Sequence, residues 1–400
     1  MAISYIVQNN DTLFRIARRF GTNVTALYSA NPQLRERQYV YPGQVLQIPA
    51  SSAQQYVIQP GDTFHQIARR LQISLNDLIA ANPYTDPQQL QAGQTLVIPH
   101  SRGMSVVNTN SEYGYEEMME DIRLLKQRYP FLQVSTIGTS VLGRSIPAIR
   151  LGSGPKEIHY NGAFHANEWI TSQLLMKFIE DYAEAYQSGQ PLRGKDVRKL
   201  YEQTSLWIVP MVDPDGVELV LKGASPENPY YEQLIEWNFG SHDFTGWKAN
   251  IRGVDLNDQF PAGWEIERER REAAGPGPRD YTGTAPLSEP EAKAMADFTR
   301  AHNFRLVIAF HTQGQEIYWN YRDLEPEDAE SIADRLAKVS RYRAVKLQNS
   351  DAGYKDWFIQ EFRRPGFTVE AGFGVNPLPQ SQFRSMYDEV VAIMLEALIL

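Results

Sequence analysis

The chain has 400 residues and a formal net charge of −9, which argues against a nucleic-acid-binding surface. It has no cysteine, so disulfides and thiolate metal sites are excluded and any metal must be held by His, Asp or Glu. No apolar run reaches the roughly 18 residues that read as a membrane span, since the stretch from Val390 to Leu400 is short and interrupted by Glu396. Met1-Ala2-Ile3-Ser4-Tyr5 lacks a basic start and an apolar core, so no secretory signal is expected and synthesis is expected in the cytoplasm.

The first hundred residues repeat themselves. Tyr5-Ile6-Val7-Gln8 recurs as Tyr56-Val57-Ile58-Gln59, and Asp11-Thr12-Leu13 as Asp62-Thr63-Phe64. Ile16-Ala17-Arg18-Arg19 recurs as Ile67-Ala68-Arg69-Arg70, and Asn31-Pro32 as Asn82-Pro83. Both copies close on Gly-Gln-x-Leu-x-Ile-Pro, at Gly43 to Pro49 and Gly93 to Pro99. Such self-similarity marks a repeated module. Each copy reads strand, turn, helix, helix, strand. Asp11 and Asp62 are placed to cap the first helix, and the Asn-Pro pairs to end the second.

These copies resemble the LysM domain over nearly all of residues 4–49 and 55–99. The resemblance implies two small βααβ modules, at residues 1–50 and 54–100, that bind N-acetylglucosamine in peptidoglycan or chitin. It places binding at the turn around Asp11-Thr12 and the loop after Asn31, with Asp62-Thr63 and Asn82 as counterparts. The same residue types are favoured caps and turn formers, so a purely folding role is the alternative. In the first copy Asn9-Asn10 stands where the second has Pro60-Gly61. The linkers Ala50-Ser51-Ser52-Ala53 and His100-Ser101-Arg102-Gly103 are short, and two weak sugar sites held close raise the local concentration of whatever follows.

Residues 106–400 suit one α/β domain. Glu116 to Tyr129 has helical spacing; Val134 to Gly138, Ile146 to Leu151, Glu157 to Phe164 and Ser205 to Pro210 read as strands. Ile170 to Ala185 is expected as a helix, with Leu174, Leu175, Phe178, Ile179 and Tyr182 on one face. Glu265 to Arg279 is highly charged and then rich in Gly and Pro, so it reads as a surface loop whose charges face solvent. Ser288-Glu289-Pro290-Glu291 reads as a helix opening with Ser288 as the cap.

Three distant segments offer metal ligands. His165 and Glu168 sit where a strand hands over to a helix, His311 ends the apolar run Leu306 to Phe310, and Glu370 ends Gly366 to Val369. Carboxyl ends of strands are where α/β sheets place their active sites. Three N/O ligands with one position left for water make a catalytic zinc site, and a further carboxylate takes the proton of the attacking water.

Taken in order, the segment resembles the zinc carboxypeptidase family. The match runs through Gly143-Arg144-Ser145-Ile146, Phe164-His165-Ala166-Asn167-Glu168-Trp169 and Val212-Asp213-Pro214-Asp215-Gly216. It continues through Gly253-Val254-Asp255-Leu256-Asn257, Tyr281-Thr282-Gly283, Phe310-His311 and Phe367-Thr368-Val369-Glu370. The resemblance implies a mixed, mostly parallel eight-strand sheet flanked by helices. It implies one zinc bound by His165, Glu168 and His311, with Glu370 as general base and then proton donor. Asp255 falls where the family has a carboxylate that orients the first ligand histidine, a role with a clear physical purpose. Lys248 falls where the family has an arginine that polarises the scissile carbonyl; lysine keeps the charge but lacks the bidentate fork, and Arg252 is a substitute.

The chain departs from the family at Asn257-Asp258. The family commonly has Asn-Arg here, a pair that clamps the carboxylate of a peptide C-terminus. Asp258 would repel that carboxylate and suits an ammonium instead, such as a diamino acid of cell-wall peptides carries. The alternative is that Asp258 pairs with an arginine such as Arg252 or Arg144. The LysM pair, the zinc amidase segment and Asp258 together resemble the γ-D-glutamyl-L-diamino acid endopeptidases. The implied substrate is the bond between D-glutamate and diaminopimelate or lysine in peptidoglycan stem peptides. Two other readings are a zinc carboxypeptidase trimming ordinary peptides and a non-catalytic wall-binding protein; the intact quartet of His165, Glu168, His311 and Glu370 argues against the second.

Overall fold

The computed structural model describes residues 3–8, 11, 13, 16, 20, 24–34, 40–48, 54–59, 61–71, 75–83, 85–87, 90–98 and 105–400. Thr12, Asn9, Asn10 and Pro60 lie outside the described residues. The chain divides into two compact units, Met1–Val106 and Val107–Leu400.

In the first unit each repeat pairs its opening and closing strands antiparallel. β1 (Ile3–Ile6) pairs with β2 (Val45–Ile48), setting Tyr5 opposite Leu46. β3 (Gln54–Val57) pairs with β4 (Thr95–Ile98), setting Tyr56 opposite Leu96. The second copy carries helices Phe64–Arg70 and Leu75–Ala81, and the first carries Val24–Ala30. The cores correspond: Leu27 and Leu46 in one, Leu78 and Leu96 in the other.

The second unit holds an eight-stranded mixed sheet. Its strands are β5 (Gln133–Thr139), β6 (Ser145–Leu151), β7 (Lys156–Gly162), β8 (Thr204–Val209), β9 (Leu306–His311), β10 (Glu316–Tyr318), β11 (Arg343–Val345) and β12 (Gly366–Glu370). The order is β11-β10-β12-β9-β7-β8-β6-β5, with β12, β9, β7 and β8 forming a parallel block. Strands buried on both sides read as continuous apolar runs, which is why β9, Leu-Val-Ile-Ala-Phe-His, is buried throughout. Helices flank the sheet. Ile170–Ser188 packs on β7 and on Tyr115–Arg128 and Phe383–Leu398, while Tyr354–Phe362 packs on β9 and β12.

Two local expectations are corrected. The helix after Ser288 spans Pro290–Arg300, so its cap position is Glu289; proline fits the first helical turn because its missing N–H has no partner there. Ser288 instead donates from Oγ to Gln259 Oε1 at 3.2 Å. The charged stretch read as a loop begins with a helix, Trp264–Arg271. Its charges pair along the helix: Glu267 reaches Arg270 three residues on and Arg271 four residues on, a spacing that brings side chains together. Glu267 is buried, so these charges do not simply face solvent.

Candidate metal centre and its surroundings

The register of the parallel block assembles the site. β9 and β12 align Glu370 directly beside His311, and β7 aligns Gly162 with Phe310, three residues before His165. The chain then makes a tight 3-10 turn, Ala166–Glu168, that brings Glu168 back toward His165. This turn is held by close packing. A Cβ at Gly216 would meet Asp213 Oδ2 at 2.1 Å, Ala249 O at 2.7 Å and Ala166 Cβ at 2.8 Å, so only glycine lets helix Pro214–Lys222 approach.

Nδ1 of His165 lies 3.0 Å from Glu168 Oε1, and Nδ1 of His311 lies 3.1 Å from Glu168 Oε2. The two Nδ1 atoms face each other at 3.2 Å. All three side chains are buried. With metal–ligand bonds of about 2 Å, the ligands of a tetrahedral zinc stand roughly 3.3 Å apart. The observed spacings match that edge, so these donors fit a zinc ion by geometry and by ligand type.

A second layer fixes the ligands. His165 Nε2 is 3.2 Å from Asp255 Oδ1, and Lys248 Nζ donates to Asp255 Oδ2 at 2.7 Å. Burial alone would raise the Asp255 carboxyl, but Lys248 and His165 outweigh it and hold it well below the usual range. Burial would likewise lower Lys248, yet Asp255 and Asp258 keep it charged. Glu168 accepts from the Thr312 N–H at 3.1 Å and from Asn376 Nδ2 at 3.1 Å. Asn376 also bonds Thr312, at 2.7 Å from Thr312 Oγ1 and 2.8 Å to its carbonyl. Sequence reasoning missed Asn376; a lone Asn-Pro in a loop carried no signal beyond a turn.

Burial pushes the Glu370 carboxyl up to about 8 against the pull of His311. Asp258 is also pushed up to about 8 by burial and by Asp255. Its partner is neither Arg252 nor Arg144 but Arg271, whose Nη2 donates to Oδ1 at 3.2 Å and whose Nε lies 3.0 Å from Oδ2. Arg144 is bound to buried Asp215 at 2.5 Å, and Arg252 reaches Tyr230 Oη at 3.2 Å and Glu289 at 3.6 Å. The Asn257 side chain accepts from the Tyr354 N–H at 3.2 Å, at the start of helix Tyr354–Phe362.

In the repeats, the expected sugar contacts are largely occupied by the fold. Asn31 and Asn82 are buried, and each side chain makes three bonds that tie a helix end to the closing strand. Asp62 is not the helix cap. Thr63 is, accepting from Gln66 N at 3.1 Å, while Asp62 accepts from Tyr56 Oη at 2.6 Å and Gln59 N at 2.8 Å. Asp11 repeats this with Tyr5 at 2.5 Å and Gln8 N at 2.8 Å. In the second repeat Thr63 takes the helix N–H and Asp62 closes the turn before it.

The family model described as zinc carboxypeptidase matches residues 118–392. The chain belongs to the zinc carboxypeptidase family. The LysM domain model matches residues 5–49 and 56–99. As a zinc carboxypeptidase relative with LysM modules, the chain is 46% identical to gamma-D-glutamyl-L-diamino acid endopeptidase 1 of Lysinibacillus sphaericus, covering 86% of this chain and 99% of that protein. It is 26% identical to carboxypeptidase B of Rattus norvegicus, over 64% of this chain and 63% of that one. Among solved structures, bovine thrombin-activatable fibrinolysis inhibitor in complex with tick carboxypeptidase inhibitor aligns with a TM-score of 0.57 at 20% identity, covering 73% of this chain and 97% of that one. That likeness is one of fold. The family is a zinc family, and the His165, Glu168 and His311 cluster is compatible with a metal.

Proposed function

We propose that this chain is a zinc-dependent peptidase that hydrolyses the γ-D-glutamyl–diamino acid bond of peptidoglycan stem peptides, with the LysM modules holding it to the glycan. The observation that carries the reading is the convergence of His165, Glu168 and His311 at 3.0–3.2 Å beside Glu370, in a chain so similar to the Lysinibacillus sphaericus enzyme over almost that enzyme's whole length.

His165 and His311 would hold the zinc through Nδ1, and Glu168 through its carboxylate. When bound, zinc supplies Lewis-acid polarisation and lowers the pKa of a bound water toward 7. Glu370 takes the proton of the attacking water and returns it to the leaving amine of the diamino acid. Asp255 holds the His165 ring so that Nδ1 faces inward, and Lys248 places a positive charge beside it for the oxygen that becomes negative as water adds.

The test is mass spectrometry of products from purified muropeptides. The expected products end at D-glutamate on one side and begin at the diamino acid on the other. A chelator should abolish the cleavage and added zinc restore it. Release of single C-terminal residues from ordinary peptides, with no cleavage after D-glutamate, would instead make the chain a plain carboxypeptidase.

A further inference from the structure

Asn376 lies on the loop that follows β12 and Glu370, and its side chain bonds to the two other segments that converge at the metal centre. The whole amide is committed. Oδ1 accepts from Thr312 Oγ1 at 2.7 Å, while Nδ2 donates to the Thr312 carbonyl at 2.8 Å and to Glu168 Oε1 at 3.1 Å. Turned over, the amide would set its oxygen against a carbonyl and a carboxylate, two acceptors that carry no proton. The Thr312 hydroxyl and carbonyl therefore fix which end of the amide faces Glu168.

Glu168 thereby has an N–H on each oxygen. Oε2 takes the backbone N–H of Thr312 at 3.1 Å and Oε1 takes Asn376, while the same two oxygens face the Nδ1 atoms of His311 and His165. Asn376 is the side-chain half of this clamp. The loop that presents it is held at points of its own. The Ala371 N–H donates to the His311 carbonyl at 2.8 Å, and the Gly314 N–H to the Gly372 carbonyl at 3.0 Å. Gln382 bonds both the N–H and the carbonyl of Phe373, at 3.2 Å and 2.7 Å. Gly372 has a φ of +73°, and a Cβ there would meet Leu378 Cδ1 at 2.5 Å, so only glycine lets the loop close on buried Leu378. Asn376 is thus delivered to Glu168 by a preset backbone.

We propose that Asn376 is a positioning residue for Glu168, with its amide oriented by Thr312, so that retention of zinc depends on the loop that follows Glu370. This rests on the reading that His165, Glu168 and His311 hold the metal. With an N–H on each oxygen the carboxylate is pinned where both imidazoles already point. Without Asn376, Oε1 loses the donor that keeps it beside His165, and one of three ligands is loosened. Partners of this kind are worth much of a metal's affinity because they orient the ligand before the metal arrives.

The test uses the full chain loaded with zinc. It reads zinc affinity, the rate of zinc transfer to an excess of fluorescent chelator, and the visible absorption of the cobalt-substituted chain, which reports ligand geometry. Asn376→Leu keeps the branching and size of the side chain but has no N–H. It should weaken zinc binding by roughly 10–100-fold, speed the transfer and change the cobalt spectrum, which a disturbance confined to the loop would leave alone. Thr312→Val keeps the backbone N–H on Glu168 and removes the hydroxyl that orients the amide. It should lose affinity in the same direction, and Thr312→Ser should restore it. Folded Asn376→Leu with wild-type zinc affinity and a wild-type cobalt spectrum overturns the proposal while leaving the zinc reading intact. If Asn376→Leu does not fold, the Thr312 variants decide, and affinity in Thr312→Val equal to wild type overturns it. A wild-type chain that binds no zinc overturns the zinc reading and this proposal with it.

Discussion

Nε2 of His165 stands 3.2 Å from Oδ1 of Asp255, a carboxylate with no solvent exposure. The contact aims the other ring nitrogen at Glu168 and His311, so one buried carboxylate orients a ligand 90 residues earlier in the chain. Asp255→Asn should keep the shape of the site and weaken zinc binding by roughly 10–100-fold, the usual cost of losing such a partner. Competition with a fluorescent chelator measures it. Zinc affinity equal to wild type would remove Asp255 from this role.

Glu370 lies beside His311 in register and is not one of the three converging donors. Glu370→Gln keeps the side chain's size but cannot take a proton. Turnover should fall on the order of 10²–10⁴, the scale of general acid–base assistance. Zinc content, read by atomic emission, should stay at the wild-type level. Equal loss of zinc and turnover would make Glu370 a ligand.

Every residue named at the metal centre belongs to the unit Val107–Leu400, which has its own core. Removing residues 1–104 should therefore spare cleavage of small soluble stem peptides. Sedimentation with insoluble peptidoglycan should drop, because both sugar-binding modules are gone. A truncated chain that sediments as well as the full chain would show that the repeats are not the anchor.

His159, in β7 on the strand that leads to His165, is fully buried and stacks on Phe304 at 5.0 Å. It fits best when neutral: Nδ1–H donates to the Trp207 carbonyl at 3.1 Å and Nε2 accepts from Asn161 Nδ2 at 3.1 Å. Burial pushes it down to about 3. In the unfolded chain it takes up a proton near 6.5, so between pH 6.5 and about 3 the unfolded state binds more protons and this group's stability is lost as pH falls. The loss approaches ~1.4 kcal/mol per pH unit. His159→Phe removes the titration, so the gap in unfolding free energy between wild type and variant should shrink from pH 6.5 to 4.5. Urea unfolding followed at several pH values measures it, and a constant gap would count against the buried neutral ring.

The sequence by itself determined the two repeats, the sheet strands that carry ligands, and the quartet of His165, Glu168, His311 and Glu370. These are legible because apolar runs and strand-to-helix handovers are local, and because ligand chemistry admits few residue types. Only the tertiary structure decided what each polar side chain faces. Asp62 looked like a cap until Thr63 took the helix N–H and Tyr56 took the carboxylate. Glu265 to Arg279 looked like solvated charge, since nothing local says that Glu267 and Arg271 will be drawn against Asp258. Asn376 reaches Glu168 across 208 residues of sequence, a distance at which spacing carries no information. Burial is what separates the two cases: a backbone pattern repeats along the chain, whereas the partner of a buried charge is set by whichever segment the packed fold delivers beside it.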